Sequence, residues 1–190
     1  MSIQARRERE RAKREKLIIT AARELAEAEG WEAVTTRRLA ERVEYSQPVL
    51  YSHFKNKGAI MVAVAVEGFA DLAGEMRAAR AAAPDVRRAL AEVGAAYTAF
   101  ADRHPVLYDV MFNQAVDLPF ATADAPAALH AGFDELAEAV SPHAGGDDLG
   151  LLTETFWAGL HGLVTLTRGA RLPREAHQRR LELLLARFTR

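Results

Sequence analysis

Apolar residues recur every three or four positions along nearly all of the 190-residue chain, and no useful stretch alternates with period two. This pattern predicts an all-α fold of about nine helices without internal repeats. Residues 5–16 are polar; Leu17, Ile18, Ala21, Ala22, Leu25 and Ala26 then mark the apolar face of a first helix that Gly30 stops. Leu39, Ala40 and Val43 set a short second helix, and Val49, Leu50 and Phe54 a third, with Glu44-Tyr45-Ser46 interrupting them. From Gly58 to about Ala81 a wide stripe (Ile60, Met61, Val64, Ala65, Phe69, Leu72, Met76) predicts one helix ~35 Å long at 1.5 Å per residue. After the break at Ala83-Pro84-Asp85 come a helix to about Ala101, a short one from Pro105, and a loop through Asp117, Pro119 and Asp124. A helix from about Pro126 to Val140 follows, then two more, from about Asp147 to Arg168 and from Pro173 onward.

Composition narrows this picture. With 49% hydrophobic residues the chain can bury a sizeable core, and having no cysteine it has no disulfide and no thiolate metal site. No apolar run reaches the ~18 residues that span a bilayer, so a soluble, cytoplasmic protein without a membrane partner is expected. The net charge of −1 conceals an asymmetry: residues 1–58 carry 13 Lys/Arg against 9 Asp/Glu, whereas the rest carries 12 against 17. The expected organisation is therefore a basic domain at 1–58 and an acidic, more apolar one at 59–190.

The basic domain holds the stretch that carries chemistry, Thr35 to Lys57, TTRRLAERVEYSQPVLYSHFKNK. Two short helices joined by a turn form a helix-turn-helix, whose second helix lies in a DNA major groove. Gln47 can pair its amide with adenine N6 and N7, and Arg37 can fork onto guanine O6 and N7. Pro48, tolerated in a first helical turn, and Val49 offer apolar surface to a thymine methyl. Thr36, Tyr51, His53 and Lys57 are donors suited to phosphate oxygens, and Asn56 suits a cap on the next helix. Taken singly, each has a structural alternative: Thr35 and Thr36 as caps, Tyr51 and Phe54 as core, Lys55 and Lys57 as a solvated face. Arg6, Arg7, Arg9 and Arg11 can supplement phosphate binding, but with Glu8 and Glu10 interleaved the expectation is a solvated, partly frayed tail.

Through its TTR, QP, LY, H and KNK elements this stretch resembles the DNA-binding domain of TetR-type regulators, and especially the reading head of tetracycline repressors. The resemblance implies that Arg37, Gln47, Pro48 and Val49 face bases, with Thr36, Tyr51, His53 and Lys57 on phosphates. Tyr45 and Ser46 depart from the small turn more usual there. Further on, Trp157, His161 and Gly162 in TFWAGLHGL resemble the signature of the WHG-type C-terminal domain of one TetR branch.

The resemblance also implies that the second half senses a small molecule. The expected lining is Phe69, Tyr97, Phe100, His104, Met111, Phe112, Phe133, Trp157 and His161, an aromatic set suited to a mainly apolar effector. Each of these also suits a helical core. The last two helices carry more apolar surface than one small core needs. Leu149, Leu152, Phe156, Leu160 and Leu163 on one, with Leu181, Leu184, Leu185 and Phe188 on the other, predict a four-helix interface in a homodimer. Such a pair would place two reading helices on successive major grooves of a palindromic operator, giving a ligand-released repressor.

No spacing among the six histidines puts two on one helical turn, so neither metal nor cofactor is expected. Without GxGxxG, P-loop, HExxH or GxSxG, an enzyme is not expected either. The rival reading is an architectural DNA-binding protein without an effector. Such a protein would be basic throughout and would not need so large an apolar half.

Overall fold

The computed structural model describes residues 3–112, 118–120 and 122–189, and among them the chain forms nine α-helices and no strand. These are α1 (Ile3–Glu29), α2 (Thr36–Arg42), α3 (Gln47–His53), α4 (Lys57–Ala82), α5 (Val86–Arg103), α6 (Pro105–Phe112), α7 (Ala127–Val140), α8 (Leu149–Arg168) and α9 (His177–Phe188). Asp117 of the expected loop lies outside the described residues. Helix α9 starts at His177 rather than Pro173, because a short 3-10 turn at Arg174–Ala176 intervenes.

The chain divides into two compact units, Met1–Gly68 with His104–Phe120, and Phe69–Arg103 with Ala121–Arg190. Helix α4 contributes residues 57–68 to the first and the remainder to the second.

In the first unit Ile18, Ala22 and Leu25 of α1 are buried, as are Leu39 of α2 and Leu50 of α3, in a core that also buries Ile60, Leu107 and Met111. Side chains cap the helix ends: Thr35 accepts from the Arg38 amide at 3.2 Å, Asn56 from Ala59 at 2.8 Å, and Glu27 from Leu107 at the start of α6 at 3.0 Å. Trp31 is buried, and its Nε1 donates to the Val106 carbonyl at 3.2 Å. At Gly68 a Cβ would stand 2.7 Å from Met111 Sδ and 2.9 Å from Leu107 Cδ1, so any side chain there would force these two α6 side chains to shift. The N-terminal segment is not frayed. Helix α1 is continuous from Ile3, sustained by i,i+4 pairs such as Arg6–Glu10 and Arg11–Glu15.

The second unit packs α5, α7, α8 and α9 with the C-terminal part of α4, burying Tyr97, Phe100, Phe156, Leu160 and Leu181. Its one buried carboxylate, among the described residues, is Glu135 on α7. It accepts from Arg77 Nε at 2.6 Å and from Arg80 Nε and Nη2 at 3.0 and 2.8 Å.

In this unit the expected interface residues divide between inward and outward positions. Phe156, Leu160 and Leu181 are fully enclosed by their own chain, and Leu184 covers Gly159. Leu185 reaches Gly94, and Phe188 meets Phe156 edge-on with ring centroids 5.0 Å apart. Three of the nine expected residues, Phe156, Leu160 and Leu181, are thus turned inward, and Leu184, Leu185 and Phe188 of α9 are half-buried over them. The stripe that remains exposed on α8 is Leu151, Thr155, Ala158 and Leu166, with the half-exposed Gly162 among them. Leu149 is also exposed, and Leu152 and Leu163 are half-buried.

Candidate nucleic-acid interface

The short helices α2 and α3 owe their arrangement to the turn between them. Helix α2 ends in a Schellman-type cap, where the Tyr45 amide donates to the Ala40 carbonyl at 2.9 Å and Glu44 takes a left-handed conformation, φ 57°. Such a position favours glycine, so Glu44, rather than Tyr45 or Ser46, is the unusual residue of this turn. Two ion pairs bind α2 to α1: Arg38 forks onto Glu29 at 2.7 and 2.8 Å, and Arg42 reaches Glu24 at 2.8 Å. The Glu29 carboxyl is held below its ordinary range by the Arg38 hydrogen bond, which outweighs desolvation.

Helix α3 is divided by its periodicity. Leu50 faces inward, fully buried, and Phe54 closes the end, while Gln47, Pro48, Val49 and Tyr51 are exposed. A 37% exposed Val49 and a 49% exposed Tyr51 side by side with Gln47 make a polar-aromatic surface rather than a core. Thr36 Oγ1 lies 3.4 Å from Tyr51 Oη, joining the first turn of α2 to the exposed side of α3. Arg37 is exposed next to Thr36 and pairs with Glu41 at 3.0 Å. Thr36 and Tyr51 thus join the exposed sides of the two helices into one surface, with Arg37 next to it in sequence.

Two expected members lie apart from it. His53 has a side chain only 5% exposed, its Nδ1 3.3 Å from Glu15 Oε1 on α1. Lys57 donates its Nζ to the Trp31 carbonyl. Both are thus directed at protein groups, since a half-buried cation or imidazole takes the nearest acceptor.

Sequence reading missed the partner that holds His53. Glu15 accepts from Arg11 Nε at 2.8 Å, and Arg11 Nη2 donates to the Ser52 carbonyl near the end of α3 at 3.4 Å. Burial works to raise the Glu15 carboxyl, but hydrogen bonds from Arg11 and His53 outweigh it and lower its pKa. The i,i+4 spacing of Arg11 and Glu15 is visible in the sequence. Their partners, some forty positions away, are not.

Residues 18–64 fit the model of the bacterial regulatory proteins of the tetR family, and residues 90–188, just over half the chain, fit the tetracyclin repressor-like C-terminal domain. The chain belongs to the TetR family. A stretch of 48 residues is 54% identical to the tetracycline repressor protein class C of Escherichia coli, a match covering 25% of this chain and 22% of that repressor. The chain thus spans less than a quarter of the length of the curated relatives it matches. Among solved structures, a protein of unknown function from Rhodococcus sp. RHA1 has TM-score 0.78 at 24% identity, over 92% of this chain and 93% of that one. The regulator FadR from Bacillus subtilis, in complex with stearoyl-CoA, has TM-score 0.66 at 16% identity, over 90% and 97%. These two likenesses show the TetR-type fold.

The residues expected around an effector fall in both units. His104, Met111 and Phe112 belong to the first, and the Phe112 ring packs tilted against Tyr108 with centroids 4.6 Å apart. Phe69, Tyr97, Phe100, Phe133, Trp157 and His161 belong to the second. There Trp157 Nε1 donates to Tyr97 Oη at 3.0 Å, and the Trp157 and His161 rings lie 6.3 Å apart on one face of α8. Burial lowers the His161 pKa, favouring the neutral ring, and its Nε2 is 3.3 Å from Thr165 Oγ1. Among the described residues no cluster of three His, Cys, Asp or Glu could hold a metal ion, and no helix is long and apolar enough to cross a membrane.

Proposed function

We propose that this chain is a cytoplasmic transcriptional repressor that binds a palindromic operator as a homodimer and is released by a small, mainly apolar effector. The observation that carries the reading is the outward surface of α3 and α2. Gln47, Pro48, Val49 and Tyr51 are exposed on a helix whose opposite side is anchored by the buried Leu50, and Thr36 and Arg37 adjoin them. Arg37, Gln47, Pro48 and Val49 read base edges, while Thr36 and Tyr51 hold phosphates. His53 and Lys57 serve the phosphate set only by leaving Glu15 and Trp31; the Asn56 cap keeps the α4 amides at that edge.

The second copy docks on the exposed stripe of α8, where Ala158 and Gly162 permit close approach between flanking Leu151 and Leu166. Two reading helices then sit ~34–36 Å apart. The effector contacts the aromatic side chains of the second unit, where Tyr97 Oη accepts the Trp157 indole N–H and the lining is weakly polar. It favours dimers whose reading heads no longer match successive grooves, acting through α4. Full release from 99% to 1% competence needs a ~10⁴-fold preference, about 5.5 kcal/mol.

The test is selection of duplexes from a random pool by the purified chain, followed by affinity measurements on the selected site. Gln47→Ala and Arg37→Ala lose ~1–3 kcal/mol at particular base pairs only, whereas a phosphate-contact variant weakens all sequences alike. Uniform losses from Gln47→Ala and Arg37→Ala would instead favour an architectural binder.

A further inference from the structure

The N-terminal part of α1 extends well past the core of its unit. Ile18 is the first buried residue of the helix, so Ile3–Arg14 adds ~18 Å of exposed helix at 1.5 Å per residue. At 100° per residue Arg7, Arg11 and Arg14 lie within about 40° of Ile18 around the helix axis. They therefore continue, as a line of arginines, the face that packs onto α2 and α3 lower down. Arg11 shows where this line runs, since it donates to the Ser52 carbonyl near the end of α3, and Glu15 one turn on meets His53.

The acidic residues between these arginines are committed within the helix. Glu10 pairs with Arg6 at 3.0 Å, Glu8 accepts from Gln4 at 3.3 Å, and Glu15 is held by Arg11 and His53. Arg7 and Arg14 are exposed, and among the described residues neither has an ion-pair partner. Beside the proposed reading surface there is thus a rigid rod with two uncommitted guanidinium groups on the side of α3.

We infer that the extension of α1 is a second DNA-contacting element, in which Arg7 and Arg14 bind duplex phosphates flanking the stretch read by α3. Arg11 and Glu15 position the rod against α3, so the extension binds as a preorganised helix and loses little conformational freedom on docking. This inference rests on the DNA-binding reading above.

The experiment uses the full chain and a mixed-sequence 40-base-pair duplex, with binding followed by fluorescence anisotropy from low to moderate salt. Arg7→Gln/Arg14→Gln is compared with Arg9→Gln/Lys13→Gln, which removes the same charge from the opposite face. Glutamine retains helix propensity, and circular dichroism checks that each variant is folded. Removing one cation from a phosphate reduces the slope of log affinity against log salt by ~0.9, so the first pair flattens it by about 2 units per chain and the second leaves it nearly unchanged. Equal slopes for the two pairs, or a wild-type slope in Arg7→Gln/Arg14→Gln, overturn the inference while leaving the reading head intact. Absence of any wild-type binding at low salt overturns both.

Discussion

Arg80→Met is the most informative stability experiment, because Glu135 is buried and its three hydrogen bonds are divided unequally. Arg80 supplies two of them, at 3.0 and 2.8 Å, and Arg77 one, at 2.6 Å. Removing Arg80 leaves a carboxylate 5% exposed with a single donor, itself on a side chain 61% exposed. Breaking a buried ion pair by deleting one partner costs ~3–5 kcal/mol; with Arg80 itself 30% exposed, solvent screening reduces the expectation to about 2 kcal/mol. Glu135→Gln removes the charge and frees both arginines to hydrate, costing about 1 kcal/mol. In the double variant no unpaired charge remains buried, so the two losses do not add, and a coupling of about 1 kcal/mol results.

The pH dependence fixes the sign independently. Burial works to raise the Glu135 carboxyl, but Arg77 and Arg80 outweigh it and lower its folded-state pKa. Its contribution is therefore present above the ordinary carboxylate range, about 4.3, and disappears as pH falls through the lower folded value. The Arg80→Met deficit should be largest at pH 7 and shrink on acidification, because protonation relieves the unpaired charge. Urea unfolding of the four proteins of the cycle at pH 7 and pH 4 reads both effects. Additive losses within ~0.3 kcal/mol, or an Arg80→Met deficit that grows on acidification, would refute the reasoning.

Other perturbations test other parts of the chain. Glu44→Gly relieves the left-handed residue of the α2–α3 turn and should stabilise the chain by about 1 kcal/mol in urea unfolding; a loss would mean that the strain is not there. Gly68→Ala forces a methyl group against the buried Met111 and Leu107, and despite better helix propensity should destabilise by about 1–2 kcal/mol; a raised thermal midpoint would contradict the close approach. Gly162 has open space at its Cβ, so Gly162→Ala should raise the stability of the isolated chain by up to about 1 kcal/mol. Gly162→Leu should weaken self-association in sedimentation experiments, and an unchanged dimer would remove α8 from the proposed interface.

Helix positions and fold class were legible along the chain because they follow from local periodicity and punctuation. The stripe of α5, the break at Pro84 and the Pro105 start needed no distant partner to be read. The inward side of α3 at Leu50 and Phe54 was equally local, but Val49, grouped with them by spacing, and Tyr51, open to a core reading, are exposed, because a seven-residue helix buries only a narrow side. Tertiary structure decided what periodicity leaves degenerate. An apolar stripe on α8 looks the same whether α9 or another chain covers it, and α9 covers Phe156, Leu160 and Gly159. A cation near a helix end looks the same whether it meets phosphate or carbonyl, and Lys57 meets Trp31. Residues that decide such choices stand tens of positions apart, as Glu15 does from His53 and Arg80 from Glu135. Only folding brings them within hydrogen-bond reach.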